Sequence, residues 1–221
     1  MESLLDLADE LERRDAVAAR ALADVEALQA DVEEIRTHAD AAAGFLASLP
    51  ALTAQRDADL EAARAARDAA AAAVRVAEQQ AAEARKDSAR LEAERAQAQA
   101  VGDLEAAERW VAEAQAAGET LRREAEARRA EAERLQARVV GLAPRVRDVP
   151  PPAGGLDGAR EWAAQARGAL LLERSSLARE RDAVIREATE LVASITGEPL
   201  TSTAVTGIRE RLALALARPS P

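Results

Sequence analysis

The fold of this chain is decided by residues 4–49, LLDLADELERRDAVAARALADVEALQADVEEIRTHADAAAGFLASL. Read every seven residues, the stretch contains two apolar columns, three residues apart, that only Arg14 interrupts. They are Leu4, Leu11, Ala18, Val25, Val32, Ala39 and Leu46, and Leu7, Arg14, Ala21, Leu28, Ile35, Ala42 and Leu49. Apolar residues spaced alternately three and four apart lie on one face of an α-helix, and a strict seven-residue period makes that face a seam for another helix. The stretch therefore predicts a long helix that packs against other helices.

The composition extends this prediction to the whole chain. Its 221 residues are 48% apolar but only 1% aromatic, with two Trp, one Phe and no Tyr. Much of the apolar content is Ala, the best helix former, which buries little area per residue. We therefore predict an all-α fold, an elongated antiparallel helical bundle or coiled coil of long helices with alanine-rich seams.

Residues 1–142 are predicted to form coiled-coil hairpins. The expected helices span about 3–49, 52–100 and 104–142. Pro50 cannot donate a backbone hydrogen bond and biases Leu49 away from helix, so we expect the chain to reverse there, with a kinked continuous helix as the alternative.

A second turn is predicted at Gly102-Asp103, because Gly suits the position past a helix end and Asp suits the next N-cap. The stripe of Leu104, Val111 and Leu121 is also one residue out of phase with the column of Leu91 and Ala98, which supports a break.

The C-terminal third is predicted to be a separate helical segment. Residues 143–156, APRVRDVPPPAGGL, have the Pro and Gly content of a linker. Helices follow at about 157–196 and 204–217, and residues 218–221 are expected to be a disordered tail.

The candidate interaction residues are the large apolar side chains of the helix at 157–196, together with a second tryptophan. They are Trp162, Leu170, Leu177, Val184, Leu191, Ile195 and Trp110. Buried aromatic and aliphatic anchors dominate helix interfaces, so these residues are candidates for binding a partner. The alternative is that they pack the chain's own core.

The sequence offers no chemistry for catalysis. Cys is absent, His38 is the only His, and Lys86 has no glycine-rich loop before it. The carboxylates alternate with Arg at helical spacing, which is typical of solvated helix faces. Arg14 in the seam either snorkels near a helix end or fixes the register. We expect no enzyme activity, no cofactor, no metal and no small-molecule substrate.

The net charge of −10 repels phosphate backbones and anionic lipids, which argues against nucleic-acid and membrane partners. Two alternatives stay open, a peripheral membrane binder with amphipathic helices and a nucleic-acid accessory protein with a basic patch. That patch is Arg122, Arg123, Arg128 and Arg129. The acidic N-terminus is unlike a signal peptide and no apolar run could span a bilayer, so we expect a cytoplasmic protein. The excess of Ala and Arg indicates a bacterial source.

The predicted helical hairpins resemble the arms of SMC- and SbcC-type chromosome proteins in periodicity and composition, which implies a chromosome-associated accessory role. The ATPase head motifs of those proteins are missing, so no activity carries over. The turn before residues 103–107, DLEAA, is similar to one in phage-shock membrane-remodelling proteins, although those begin with a membrane-seeking helix. The hypothesis taken forward is a non-enzymatic scaffold that binds a protein partner, or its own copy, by helix packing.

Overall fold

The computed structural model describes residues 2–83, 87–198, 200 and 205–217. Four α-helices follow in order, α1 (Glu2–Glu83), α2 (Asp87–Leu142), α3 (Gly155–Thr196) and α4 (Ile208–Leu216), with a 3-10 turn at Ala143–Arg145. No strand occurs within these described ranges. The predicted all-α bundle is confirmed.

The predicted reversal at Pro50 is wrong, because α1 continues through this proline to Glu83. A proline inside a helix removes one hydrogen bond and costs about 3 kcal/mol. The seam that begins at Leu4 continues in phase beyond it, and Ala63 and Ala77 on that seam are buried. Residues 51–58 after the proline are all exposed. The first two seam positions after the proline are the polar residues Thr53 and Arg56, and the apolar seam on both sides keeps the helix continuous.

The predicted turn at Gly102-Asp103 is also wrong, because α2 passes through both residues without a break. The apparent phase slip came from placing Leu91 in the seam, whereas this side chain is 57% exposed. The seam instead uses Ala100 and Ala107, which are buried and in phase with Leu121. In this helix the smaller side chain, rather than the larger one, marks the packed face.

The chain forms two compact units, which differ from the predicted domains. Unit 1 comprises Met1–Ala39 and Leu135–Pro221, and unit 2 comprises Asp40–Arg134. The predicted linker at 143–156 does not separate domains, because Val146 is only 4% exposed and belongs to the core of unit 1. Gly158 allows this segment to approach α3, since an added Cβ there would lie 1.9 Å from the Ala153 carbonyl oxygen.

Unit 1 contains two apolar clusters along α1 and α3. The central cluster joins α1, the end of α2 and the first half of α3; its members are Val25, Leu28, Val32, Ile35, Ala39, Leu135, Val139, Val146, Ala159, Trp162, Ala163, Ala166 and Leu170. The terminal cluster joins α1, the second half of α3 and α4; its members are Ala8, Leu11, Val184, Ala188, Val192, Val205, Ile208 and Leu212.

Ion pairs show that α1 and α3 run antiparallel. Arg14 pairs with Glu187, Glu26 with Arg174 and Glu33 with Arg167. Moving forward along α1 therefore corresponds to moving backward along α3. At its C-terminal end α3 stops at Gly197, which adopts the left-handed conformation (φ 74°) and caps the helix.

Unit 2 is a hairpin of the second part of α1 and the first part of α2. Arg128 of α2 lies 6.0 Å from the ring centroid of Phe45 of α1, and Thr53 shares a groove with Leu121. Residues further along α1 therefore lie beside residues earlier in α2, which shows that the two helices are antiparallel. Its buried residues within the described ranges are all alanines, Ala42, Ala63, Ala77, Ala100, Ala107 and Ala125.

The C-terminal helices differ slightly from the predicted ranges. Helix α3 begins at Gly155 rather than about 157, and α4 covers Ile208–Leu216 within the predicted 204–217. The predicted tail at 218–221 lies outside the described residues. Among the described helices, none is both long and apolar enough to cross a membrane.

Candidate functional site

The structure places most of the predicted interaction residues inside unit 1. Trp162, Leu170 and Val184 are 2%, 0% and 4% exposed. At these three positions the stripe of α3 faces α1 of the same chain, so the side chains pack the core of unit 1, and their role in binding a partner stays a prediction. Leu177, Leu191 and Ile195 are half-buried against the same two clusters. Trp110 lies apart from them in unit 2 and is 44% exposed, so its role in binding stays a prediction.

Unit 1 contains an open groove of about 600 Å³ between α1 and α3, which we call the α1–α3 groove. It is lined by Arg13, Arg14, Val17, Ala18, Ala21, Leu177, Glu180, Ala183 and Val184. The floor is apolar and built of small side chains, and Val17 on its wall is 64% exposed. All lining residues come from the two helices, so the groove has two walls and an open side.

The groove lies where α1 loses a neighbouring helix. Arg138, near the end of α2, contacts Asp31 and Glu34 on one side of α1. Val17 precedes Asp31 by about four helical turns and lies on the same side, since seven-residue steps keep their direction in packed helices. Because α2 ends at Leu142, no helix of the described residues covers this side of α1 further toward its N-terminus.

Both edges of the groove carry charged side chains. The α1 edge has Arg13 in the lining, and Glu10 and Asp24 lie seven residues before and after Val17. On α3 the edge is acidic, with Glu180 in the lining and Glu187 seven residues later. Arg14, the residue that interrupts the sequence stripe, lies here and donates a hydrogen bond of 3.0 Å to Glu187. It is exposed and takes no place in the core.

A buried ion pair lies on the opposite side of the seam from the groove. Arg181 Nε donates to Asp15 Oδ1 at 2.9 Å, and Asp15 is 6% exposed. This pair separates the central cluster from the terminal cluster along α1. A shift of α3 along α1 would leave the Asp15 carboxylate buried without Arg181. Because an unpaired buried charge strongly destabilises the folded state, such a shift is disfavoured. The pair therefore helps to fix the register that shapes the groove.

A second interhelical contact joins α1 to the end of α2. Arg138 donates to both carboxylate oxygens of Glu34, at 3.1 and 2.9 Å. The hydrogen bond and the charge of Arg138 lower the pKa of Glu34, because both favour the ionised carboxylate. This bidentate contact holds the end of α2 beside α1 at the point where the open side begins.

The basic patch considered from the sequence lies in unit 2, and part of its charge is compensated. Arg123 pairs with Glu119 at 3.4 Å and Arg128 with Glu131 at 2.9 Å. Arg122 and Arg129 line a smaller groove of about 240 Å³ between α1 and α2. Nucleic-acid binding by this patch stays a prediction.

The chain has a single histidine. His38 is exposed on α1. Within the part of the chain that the structure describes, no group of three or more His, Asp or Glu side chains is placed to hold a metal ion.

The groove was not predicted from the sequence, although one signal pointed to it. The seam of α1 weakens at Arg14, Ala18 and Ala21, where small or charged residues replace Leu and Val. That weakening marks a level at which the core is thin, but only the position where α2 ends shows that it is open.

No protein-family model matches the chain, and no curated protein or solved structure matches it significantly.

Proposed function

We propose that this chain is a non-enzymatic scaffold protein whose α1–α3 groove receives a helix of a protein partner. The observation that carries the proposal is the vacant third-helix position beside α1. At the central cluster the end of α2 fills this position, whereas at Val17 it is open. An added helix would bury the exposed apolar wall and extend the three-helix packing already present in unit 1, with a gain of about 25 cal/mol per Å² of apolar area.

The chemistry of the groove favours packing over catalysis. Its lining offers two guanidinium groups, from Arg13 and Arg14, and one carboxylate, from Glu180. A guanidinium keeps its proton in proteins and cannot serve as a general base. A single carboxylate leaves the groove without an acid–base pair. Such a combination of an apolar floor and charged edges is what helix-in-groove recognition requires.

Site-specific photo-crosslinking in the cells that make the protein tests the proposal. Ala183 lies in the groove and is exposed, so a photoreactive amino acid at this position would report on the occupant. We expect a discrete protein adduct at Ala183 that the substitution Val17→Asp abolishes. The matched control position is Val140, which is 59% exposed on α2 of the same unit and lies outside the groove lining. Equal adducts at both positions, or an adduct at Ala183 that survives Val17→Asp, would contradict the proposal.

A further inference from the structure

We infer that the partner helix of the proposed scaffold function, on which this inference rests, is basic, with Arg or Lys side chains beside the apolar residues that enter the α1–α3 groove. Two features of unit 1 point to such a partner. The groove continues the interface that α2 makes with α1, and carboxylates outnumber guanidinium groups along its walls.

The groove continues the surface on which the end of α2 packs. There the apolar side chains of α2 enter the central cluster, while Arg138 beside them contacts Asp31 and Glu34 of α1. Asp24 and Val17 lie one and two heptads before Asp31, so they face the same side of α1. A helix bound in the groove therefore continues the line of α2 and meets the next turns of the same α1 surface, without overlapping α2 itself.

The wall that α3 contributes changes from small to acidic side chains beyond the end of α2. Seven-residue steps along α3 lead from Ala159 and Ala166 to Glu173 and Glu180. The two alanines are buried in the central cluster together with the end of α2, whereas Glu180 lines the groove. A helix that continues the line of α2 is therefore met by carboxylates in the row where α2 itself is met by alanines.

Carboxylates are in excess over the whole length of the groove. Its walls are formed by the seven-residue rows of Arg13, Arg14 and Val17 on α1, and by those of Glu180 and Ala183 on α3. Over residues 10–24 and 173–190 these rows hold six carboxylates, those of Glu10, Asp24, Glu173, Glu180, Glu187 and Glu190, and three guanidinium groups, those of Arg13, Arg14 and Arg20.

Pairing within the chain uses up most of the positive charge of the walls. Arg13 pairs with Glu10, and Arg14 with Glu187. Among the described residues, the other four carboxylates of these rows and Arg20 have no ion-pair partner. A basic helix would be attracted by these carboxylates, whereas an acidic helix would be repelled, since complementary charge selects partners and like charge rejects them.

The contact of Arg138 with α1 shows how a basic partner side chain is held on this surface. One heptad toward the N-terminus of α1, an equivalent Arg or Lys of the partner would reach Asp24. Because Glu26 pairs with Arg174, Asp24 and Glu173 lie within about one helical turn of each other along the helix axes. One basic helix can therefore pair with α1 and α3 at the same time, while its apolar residues cover the small side chains of the groove floor.

Fluorescence anisotropy with a labelled peptide and the full chain tests the inference. The probe is a designed amphipathic helix of about three heptads, with Leu at the core positions and Lys at the flanking positions, and its twin has Glu in place of Lys. We expect saturable binding of the Lys peptide that weakens as ionic strength rises, because exposed charge pairs are screened by salt. The Glu twin should bind at least about tenfold more weakly. No binding of the Lys peptide, or equal binding of both peptides, would overturn the inference.

A variant with neutral groove walls locates the binding. Asp24→Asn, Glu173→Gln and Glu180→Gln replace three side chains that have no ion-pair partner among the described residues, so the helical circular dichroism should be retained. This variant should bind the Lys peptide about tenfold more weakly, because three attractive charge pairs are lost. Unchanged affinity in the folded variant would overturn the inference.

The control for net charge is the triple variant Glu61→Gln, Glu78→Gln and Glu92→Gln, at three exposed positions in unit 2. It changes the net charge as much as the groove variant does and should leave binding of the Lys peptide unchanged. An equal weakening in this control would overturn the assignment of the basic partner to the groove.

Crosslinking from Ala183 in cells separates failure of the basic partner from failure of the scaffold proposal. We expect the adduct to fall in the variant with neutral groove walls. An adduct that still requires Val17 but keeps its full yield in that variant would overturn the basic partner and leave the scaffold proposal standing. The absence of any groove-dependent adduct would overturn both.

Discussion

The two units share helices and heptad spacing but differ in what they bury. The seam of α1 passes from unit 1 into unit 2 without a change of phase, yet its buried residues change from Val32 and Ile35 to Ala63 and Ala77. An alanine seam allows close backbones and buries little apolar area, so it contributes less hydrophobic stabilisation per turn. Regular spacing decides that the helices pair, whereas side-chain size decides how strongly.

Ion pairs follow the same division. Unit 1 has pairs within one helix, such as Arg13 with Glu10, and also pairs that join different helices, as between Asp15 and Arg181. In unit 2 pairs such as Arg90 with Glu94 join residues one turn apart on the same helix. Pairs within one helix support its helicity, whereas pairs between helices fix the register. The comparison predicts that unit 1 holds the specific structure and that unit 2 opens at lower free energy.

The largest expected effect comes from truncating the seam of α1 in each unit. Ile35→Ala in unit 1 should lower the free energy of unfolding by about 3–4 kcal/mol, because it empties space in a closed core. Leu60→Ala in unit 2 should cost less than about 1.5 kcal/mol, because Leu60 is only half-buried and the site collapses more easily. Native-state hydrogen exchange, resolved for each unit, measures both. Equal losses would break the comparison.

Replacing the proline of α1 should strengthen the weaker unit. Pro50→Ala restores a backbone hydrogen bond and a strong helix former, and should stabilise unit 2 by about 2–3 kcal/mol. Slower hydrogen exchange of residues 46–58 would be the sign of this change. As a matched control, Ala51→Gly removes helix propensity at the neighbouring exposed position and should speed exchange there. An unchanged exchange rate after Pro50→Ala would show that the exposed segment opens for another reason.

Two glycines sharpen the comparison with changes of opposite sign. Gly158→Ala should destabilise unit 1 by about 2 kcal/mol, because the new Cβ would meet the Ala153 carbonyl and force the packed backbone apart. Gly102→Ala should stabilise unit 2 by about 0.8 kcal/mol, since nothing lies within 4 Å of its added Cβ and the helix loses its glycine cost. Thermal unfolding followed by circular dichroism would measure the two changes. A gain at Gly158 would contradict the close packing of residues 146–154.

These contrasts also show how far the sequence could lead. The heptad columns were sufficient for the all-α fold and for the seam of α1, because a seven-residue period admits few alternatives. The breaks at Pro50 and Gly102 were predicted wrongly, because a single helix-breaking residue does not end a helix whose apolar seam continues on both sides. Leu91 was given a core position for its size, although Ala100 marks the packed face.

The groove and the packed segment after α2 depend on which helix ends lie beside α1 and α3. Heptad spacing does not predict this, because it is the same along the whole of each helix. A stripe such as that of Trp162 and Leu170 shows that a face is covered, but it cannot show whether the cover is another helix of the same chain or a partner. For the same reason, the open side beside Val17 had no signature beyond the thinning of the seam.

The smallest expected effect concerns the pH dependence of the contact between Glu34 and Arg138. Because Arg138 lowers the pKa of Glu34, the folded chain holds this proton less tightly than the unfolded chain does. The contribution is therefore fully present above the ordinary glutamate pKa of about 4.3 and is lost as the pH falls through the lowered native pKa. Urea unfolding of unit 1 between about pH 5 and pH 3, followed by the fluorescence of Trp162 in a Trp110→Phe background, measures the slope. Glu34→Gln should flatten it slightly, and an unchanged slope would mean that this contact adds nothing to the interhelical pairing that distinguishes unit 1.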